Sequence, residues 1–156
     1  TAGAGTAGGM TEGMTVTVVT GTATVCVFDP AAVRHRLDDD GDWWSIPCAE
    51  LAAVNAGQVA FFNVGGDGAY EVTLQAELAA PQVNVHLAVR SGRVYIGAGE
   101  DVTGGGLEPD ADCGGLFLDV PAGSYCLQAR RDGARIRLAL LPDARASNAF
   151  DALVRI

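Results

Sequence analysis

A chain of 156 residues is the size of one domain, and its apolar 49% falls in short runs that never reach the ~20 residues a bilayer-crossing helix needs. Ten basic residues, all arginine, stand against nineteen acidic ones, so a net charge of −9 opposes attraction to phosphate backbones. Nucleic-acid and membrane partners are therefore not expected.

Residues 1–13 begin with a Gly, Ala and Thr tract lacking the basic start and apolar stretch of a secretion signal, and are predicted to be a flexible tail. Residues 14–156 are predicted to form a single domain. Thr15 to Val19 and Thr22 to Phe28 flank Gly21 and are rich in Val and Thr, whose branched side chains suit a pleated surface. They read as a first hairpin. Asp29-Pro30 then supplies a capping oxygen and a preset φ for a short helix, Ala31 to Leu37. A second helix is predicted over Cys48 to Asn55, ending before Gly57.

Strand signals resume at Val59 to Val64. Period-two alternation marks Tyr70 to Leu78, with Tyr70, Val72, Leu74, Ala76 and Leu78 inward. The same rhythm places Val83, Val85, Leu87 and Val89 inward, then Tyr125, Leu127 and Ala129, then Ile136, Leu138 and Leu140. Val94 to Ile96, Leu116 to Val120 and Phe150 to Ile156 complete about nine or ten strands. Gly66-Asp67-Gly68, Ser91-Gly92 and Asp132-Gly133 supply residues that accept positive φ and read as hairpin turns. The predicted fold is all-β, an antiparallel two-layer sandwich of jelly-roll type with short helices in its first third.

Cys26, Cys48, Cys113 and Cys126 lack the close paired spacing of a zinc site, and a core of this size does not need disulfides. Reduced, partly buried thiols and a cytoplasmic setting follow as expectations, with no cofactor. In Asp38-Asp39-Asp40-Gly41-Asp42 carboxylates occupy positions one, three and five of a calcium loop. Trp43 and Ala49 stand where such a loop requires Gly and Glu, which favours a solvated loop over a calcium site. Trp43 and Trp44, in an extended segment, would point opposite ways, one into the core and one to solvent; the alternative is that both rings cover the end of the sandwich.

His35 lies between two arginines, which disfavours metal ligation. His86 falls on the polar face of its strand, where Glu71 and Glu77 of the preceding strand would be neighbours; such an open face lacks the enclosure that tunes acid-base groups. No metal site is expected. Gly97-Ala98-Gly99-Glu100 has the look of a phosphate loop, but no helix follows to receive the phosphate. Gly104 to Gly106 and Gly114-Gly115 bracket a long loop whose neighbourhood carries Glu100, Asp101, Glu108, Asp110 and Asp112. No Gly-x-Ser-x-Gly elbow is present, and neither histidine is placed beside a nucleophile, so catalysis is not expected.

At Thr22-Ala23-Thr24, Phe28-Asp29-Pro30, His35-Arg36, Asp42-Trp43-Trp44, Gly65 to Tyr70 and Gly97 to Glu100 the chain resembles an uncharacterised bacterial protein family. The resemblance runs from about Thr15 onward. It implies a bacterial source and a stand-alone small protein, and carries no activity, cofactor or catalytic residue with it.

Two functional readings follow. The first is a non-catalytic domain engaging a basic protein, in the manner of an immunity protein against a toxin or nuclease, through Asp38, Asp40, Asp42, Glu100, Asp101, Glu108 and Asp110. The second is a carbohydrate-binding or calcium-dependent module that uses Trp43 and Trp44.

Overall fold

A computed structural model describes residues 13–36, 43–102 and 114–156, without the side chains of His35, Arg36 and Ser45. Among these residues nine strands run in chain order: β1 Thr15–Thr20, β2 Thr24–Phe28, β3 Val59–Asn63, β4 Gly68–Leu74, β5 Val83–Val89, β6 Arg93–Ala98, β7 Leu116–Asp119, β8 Gly123–Asp132 and β9 Arg135–Pro142. They form a five-stranded sheet, β1-β4-β9-β8-β5, and a four-stranded sheet, β3-β2-β6-β7. The all-β sandwich expected from the alternation is the observed fold.

The period-two strands make up the larger sheet. Val72, Leu74, Val85, Leu87, Leu127, Ile136 and Leu138 are buried in one continuous core, as alternation requires of a sheet with one dry face. The smaller sheet behaves differently. All five residues of β2 are buried, so both faces of the strand are covered. A helical stretch packs against the flanking strands β3 and β6. That stretch comprises 3-10 turns at Pro30–Arg36 and Trp43–Ser45 and the helix α1, Pro47–Asn55. Trp44 stacks on Phe61 of β3 with ring centroids 5.4 Å apart, and Trp43 meets the same ring edge-on at 6.4 Å.

Three expected hairpins are instead passages between sheets. The turns at Gly21, Gly66 to Gly68 and Ser91-Gly92 each join a strand of one sheet to a strand of the other. Only Asp132-Gly133 joins hydrogen-bonded partners, β8 and β9. A turn signal specifies a reversal but not the partner, and crossing between layers satisfies it equally well. The larger sheet is also not purely antiparallel, since β4 and β9 pair in parallel with Val72 opposite Ile136. The expected last strand shrinks to a bridge between Asn63 and Arg155. The helix expected over Ala31 to Leu37 is a 3-10 segment starting one residue earlier, with Leu37 outside the described residues.

Asp29 fixes where that segment begins. Its Oδ1 accepts the Ala31 amide at 2.9 Å, the capping role expected of it. Its carboxylate also takes the Arg90 and Ser91 amides at 2.7 and 2.6 Å, anchoring the β5–β6 passage. The expected tail is outside the described residues except for Gly13, whose amide already donates to Leu74 O at 2.8 Å. No helix among the described residues is long and apolar enough to cross a membrane.

Candidate functional site

His86 and Cys126 sit directly opposite one another across the β5–β8 ladder. Their neighbours Val85, Leu87, Tyr125 and Leu127 all point into the core, so alternation sends the imidazole and the thiol to the outer face. Asp143 joins them from the end of β9, where its amide donates to Ser124 O at 2.9 Å. Its Oδ2 lies 3.9 Å from His86 Nδ1. The imidazole, thiol and carboxylate donor atoms all fall within 4.8 Å of one another.

The chain beyond Asp143 folds back along edge strand β5 and covers this cluster. Asn148 holds it there: its Oδ1 accepts the His86 amide at 2.7 Å, and its Nδ2 donates to His86 O at 2.9 Å and Val54 O at 2.8 Å. One side-chain amide thus fills the ladder position a further strand would occupy, closing an open sheet edge. Asn55, at the end of α1, adds bonds to both the amide and the carbonyl of Phe150, at 2.8 and 3.1 Å. A groove of about 380 Å³ borders the cluster, lined by Asn84, His86, Arg145, Ser147, Asn148 and Phe150.

The cover leaves His86 Nδ1 buried and without a hydrogen-bond partner among the described residues. Burial, and then the Asp143 carboxylate, push the Cys126 thiol up, so it is held as a protonated thiol rather than an activated nucleophile. The sequence-based neighbours of His86 were misplaced. β4, which carries Glu71, is separated from β5 by β9 and β8, about 14 Å of sheet; Glu77 lies in the connection after β4. Sequence reading paired strands by chain order, and the parallel insertion of β9 beside β4 defeated that rule. Cys126 was missed because β6 and β7 enter the other sheet and leave β8 to pair with β5, and Asp143 because only that pairing brings the end of the β8–β9 hairpin to His86.

The residues expected to bind a partner are distributed differently. Asp38, Asp40, Asp42, Glu108 and Asp110 lie outside the described residues. Trp43 and Trp44 are both only 5% exposed, which agrees with the reading in which both rings are covered and corrects the one in which a ring meets solvent. The cause is conformational. They occupy a 3-10 turn rather than an extended segment, so adjacent side chains need not point opposite ways.

Glu100 turns toward the fold, where its carboxylate accepts the Thr20 hydroxyl at 2.8 Å, the Thr22 hydroxyl at 2.7 Å and the Gly21 amide at 2.7 Å. Asp101 accepts the Tyr95 hydroxyl at 2.6 Å. The glycines before them serve packing, not phosphate. A Cβ on Gly97 would stand 2.5 Å from the Tyr95 ring, and one on Gly99 would stand 2.7 Å from Thr24 Cβ. Among the described thiols, Cys26 is buried and donates to Ala98 O at 3.2 Å, whereas Cys48 is exposed rather than partly buried; neither is in a disulfide.

The chain belongs to a family of unknown function, DUF6386, whose model matches residues 10–156. No curated protein matches it. The solved structure of the crocagin biosynthetic gene J product is similar, with a TM-score of 0.54 and 15% identity over 85% of this chain and 96% of that one. ComJ from Bacillus subtilis, an inhibitor of the DNA-degrading activity of NucA, has a TM-score of 0.49 and 12% identity over 83% of this chain and 96% of its own. At 15% identity the likeness to the first is one of fold.

Proposed function

We propose that this member of the family is a non-catalytic binding domain whose acidic segments engage a basic protein. The supporting observation is the segregation of charge. Residues 13–36, 43–102 and 114–156 carry all ten arginines and eleven carboxylates, so that portion is close to neutral. Of those carboxylates, Asp29, Glu50, Glu100 and Asp101 are spent on hydrogen bonds within the fold. Asp132 and Glu71 face Arg137 and Arg135.

The excess therefore resides in the sequence segments 37–42 and 103–113, which hold seven carboxylates and no arginine. Concentrated negative charge steers a basic partner and raises the rate of encounter, an advantage that salt removes. The partner class that fits is a basic toxin or nuclease. An enzyme with a groove built for a polyanion offers that groove equally to a carboxylate-rich segment, which is how an immunity protein would block it. Burial of both tryptophans withdraws the aromatic platform on which the carbohydrate reading depended.

The test is affinity capture from an extract of the native host at low ionic strength, with elution by salt. A basic protein retained by the wild type should be lost when Asp38, Asp39, Asp40 and Asp42, or Glu108, Asp110 and Asp112, are changed to their amides. The control Glu71→Gln/Glu77→Gln, on β4 and in the connection after it, should retain it. Equal capture by all variants would remove the acidic segments from the reading.

A further inference from the structure

We propose that His86, Cys126 and Asp143 form a three-ligand site for a late first-row divalent cation of the zinc class. Three observations converge on it. The first is donor chemistry: one imidazole nitrogen, one sulfur and one carboxylate oxygen is a borderline-soft set that suits Zn²⁺ or Co²⁺ and not Mg²⁺ or Ca²⁺, which require oxygen.

The second is geometry. Ligands about 2.0–2.3 Å from a tetrahedral ion stand roughly 3.4–3.8 Å from each other. The His86–Asp143 separation of 3.9 Å nearly meets this, and the widest spacing among the three, within 4.8 Å, closes by small side-chain rotations. The backbone beneath is rigid, because His86 and Cys126 are paired in the ladder and Asn148 braces the other side of His86.

The third is an unmet need. His86 Nδ1 is buried, faces Asp143 and has no hydrogen-bond partner among the described residues, although burying an unpaired ring nitrogen is unfavourable. A bound cation removes that cost.

Charge also balances. With the thiol proton released to solvent, one thiolate, one carboxylate and a neutral imidazole neutralise a dication. Asp143, whose side chain is 40% exposed, leaves the site open to a water or an anion as fourth ligand, and His86 also borders the groove lined by Asn84, Arg145 and Ser147. This site is separate from the acidic segments proposed above to meet a protein partner. It runs counter to the expectation of no metal, and the titration below decides between them.

The experiment is titration of the reduced full chain with Co²⁺, reading the thiolate-to-cobalt charge-transfer absorption, followed by displacement with Zn²⁺. One equivalent should bind, and the double variant Cys48→Ser/Cys113→Ser should keep the absorption. Cys126→Ser and His86→Ala should abolish it. Asp143→Asn changes an exposed side chain and keeps the fold; it should weaken Co²⁺ binding at least as much as the roughly 10–100-fold that outer-shell changes cost. Absence of the band in the wild type would leave only a His86–Asp143 ion pair and overturn the proposal. So would a band that survives Cys126→Ser, or Asp143→Asn binding Co²⁺ as tightly as the wild type.

Discussion

The carboxylate of Asp29 receives both the backbone amide and the hydroxyl of Ser91, at 2.6 and 2.7 Å. With the amides of Ala31 and Arg90 it closes a four-bond network around the buried Asp29 side chain, linking the end of β2, the first 3-10 segment and the β5–β6 passage between sheets. Asp29→Asn places an N–H donor against these amides. Bonds to a charged acceptor are each worth about 1.5–3 kcal/mol and are not additive, so the expected loss is about 2–4 kcal/mol by urea denaturation. Ser91→Ala removes the hydroxyl alone and should cost about 1 kcal/mol.

Gly57 ends α1 in the left-handed region at φ +74, with its own amide bonded to Val54 O and the Gln58 amide to Ala53 O. This is the Schellman pattern, and it accounts for the glycine. Space accounts for it a second time. A Cβ here would lie 1.8 Å from Ala146 O, on the segment that covers His86. Gly57→Ala thus combines a left-handed penalty of about 1–2 kcal/mol with displacement of that backbone, for an expected loss of about 3 kcal/mol or more. Hydrogen exchange at the His86 amide, which Asn148 caps, should quicken in the same variant.

How much of this was legible follows from what each residue reports. Alternation from Val83 to Val89 reports a dry face and a wet face, and the sheet has both. Thr24 to Phe28 alternates with nothing, because both of its faces are covered, a tertiary fact that no local window contains. Gly21, Gly68 and Gly92 mark reversals correctly and say nothing of which layer the chain enters next. The Cys126–His86 pairing joins residues 40 positions apart across a ladder, and Asp143 reaches them from the end of β9, which pairs with β8. A cluster assembled by strand order carries no spacing signature.

Glu100 ties β1 to the end of β6 through three acceptor bonds. Burial raises its pKa, but the bonds from Thr22, Gly21 and Thr20 outweigh this and hold the carboxyl below its ordinary value. A carboxyl lowered on folding stabilises the fold above its unfolded pKa, and that contribution is lost as pH falls through the folded one. Wild-type stability should thus decline on acidification through the carboxylate range. Glu100→Gln should lose about 1–2 kcal/mol at neutral pH, allowing for solvent screening, and should show a shallower acid slope. An acid slope identical to the wild type's would assign the bonds no role in the linkage.

Glu50 has the opposite sign. It is buried on α1, where burial raises its pKa more than the bond from Asn63 and the charge of Arg155 lower it. A carboxyl raised on folding contributes stability that is complete when protonated and is lost as pH rises through its elevated value, so at neutral pH the ionised group is a burden. Asn63 Nδ2 donates to Glu50 Oε2 at 2.8 Å, and a glutamine oxygen can accept that bond unchanged. Glu50→Gln is therefore expected to unfold at a higher urea concentration than wild type at neutral pH, with the two midpoints converging on acidification. Glu50→Ala should instead lose about 1–2 kcal/mol, because it strands the Asn63 amide that also holds Val154 O at 3.2 Å. If Glu50→Gln proved the less stable protein at neutral pH, attraction to Arg155 would outweigh burial. The C-terminal segment would then be held by charge more than by the Asn63 bridge.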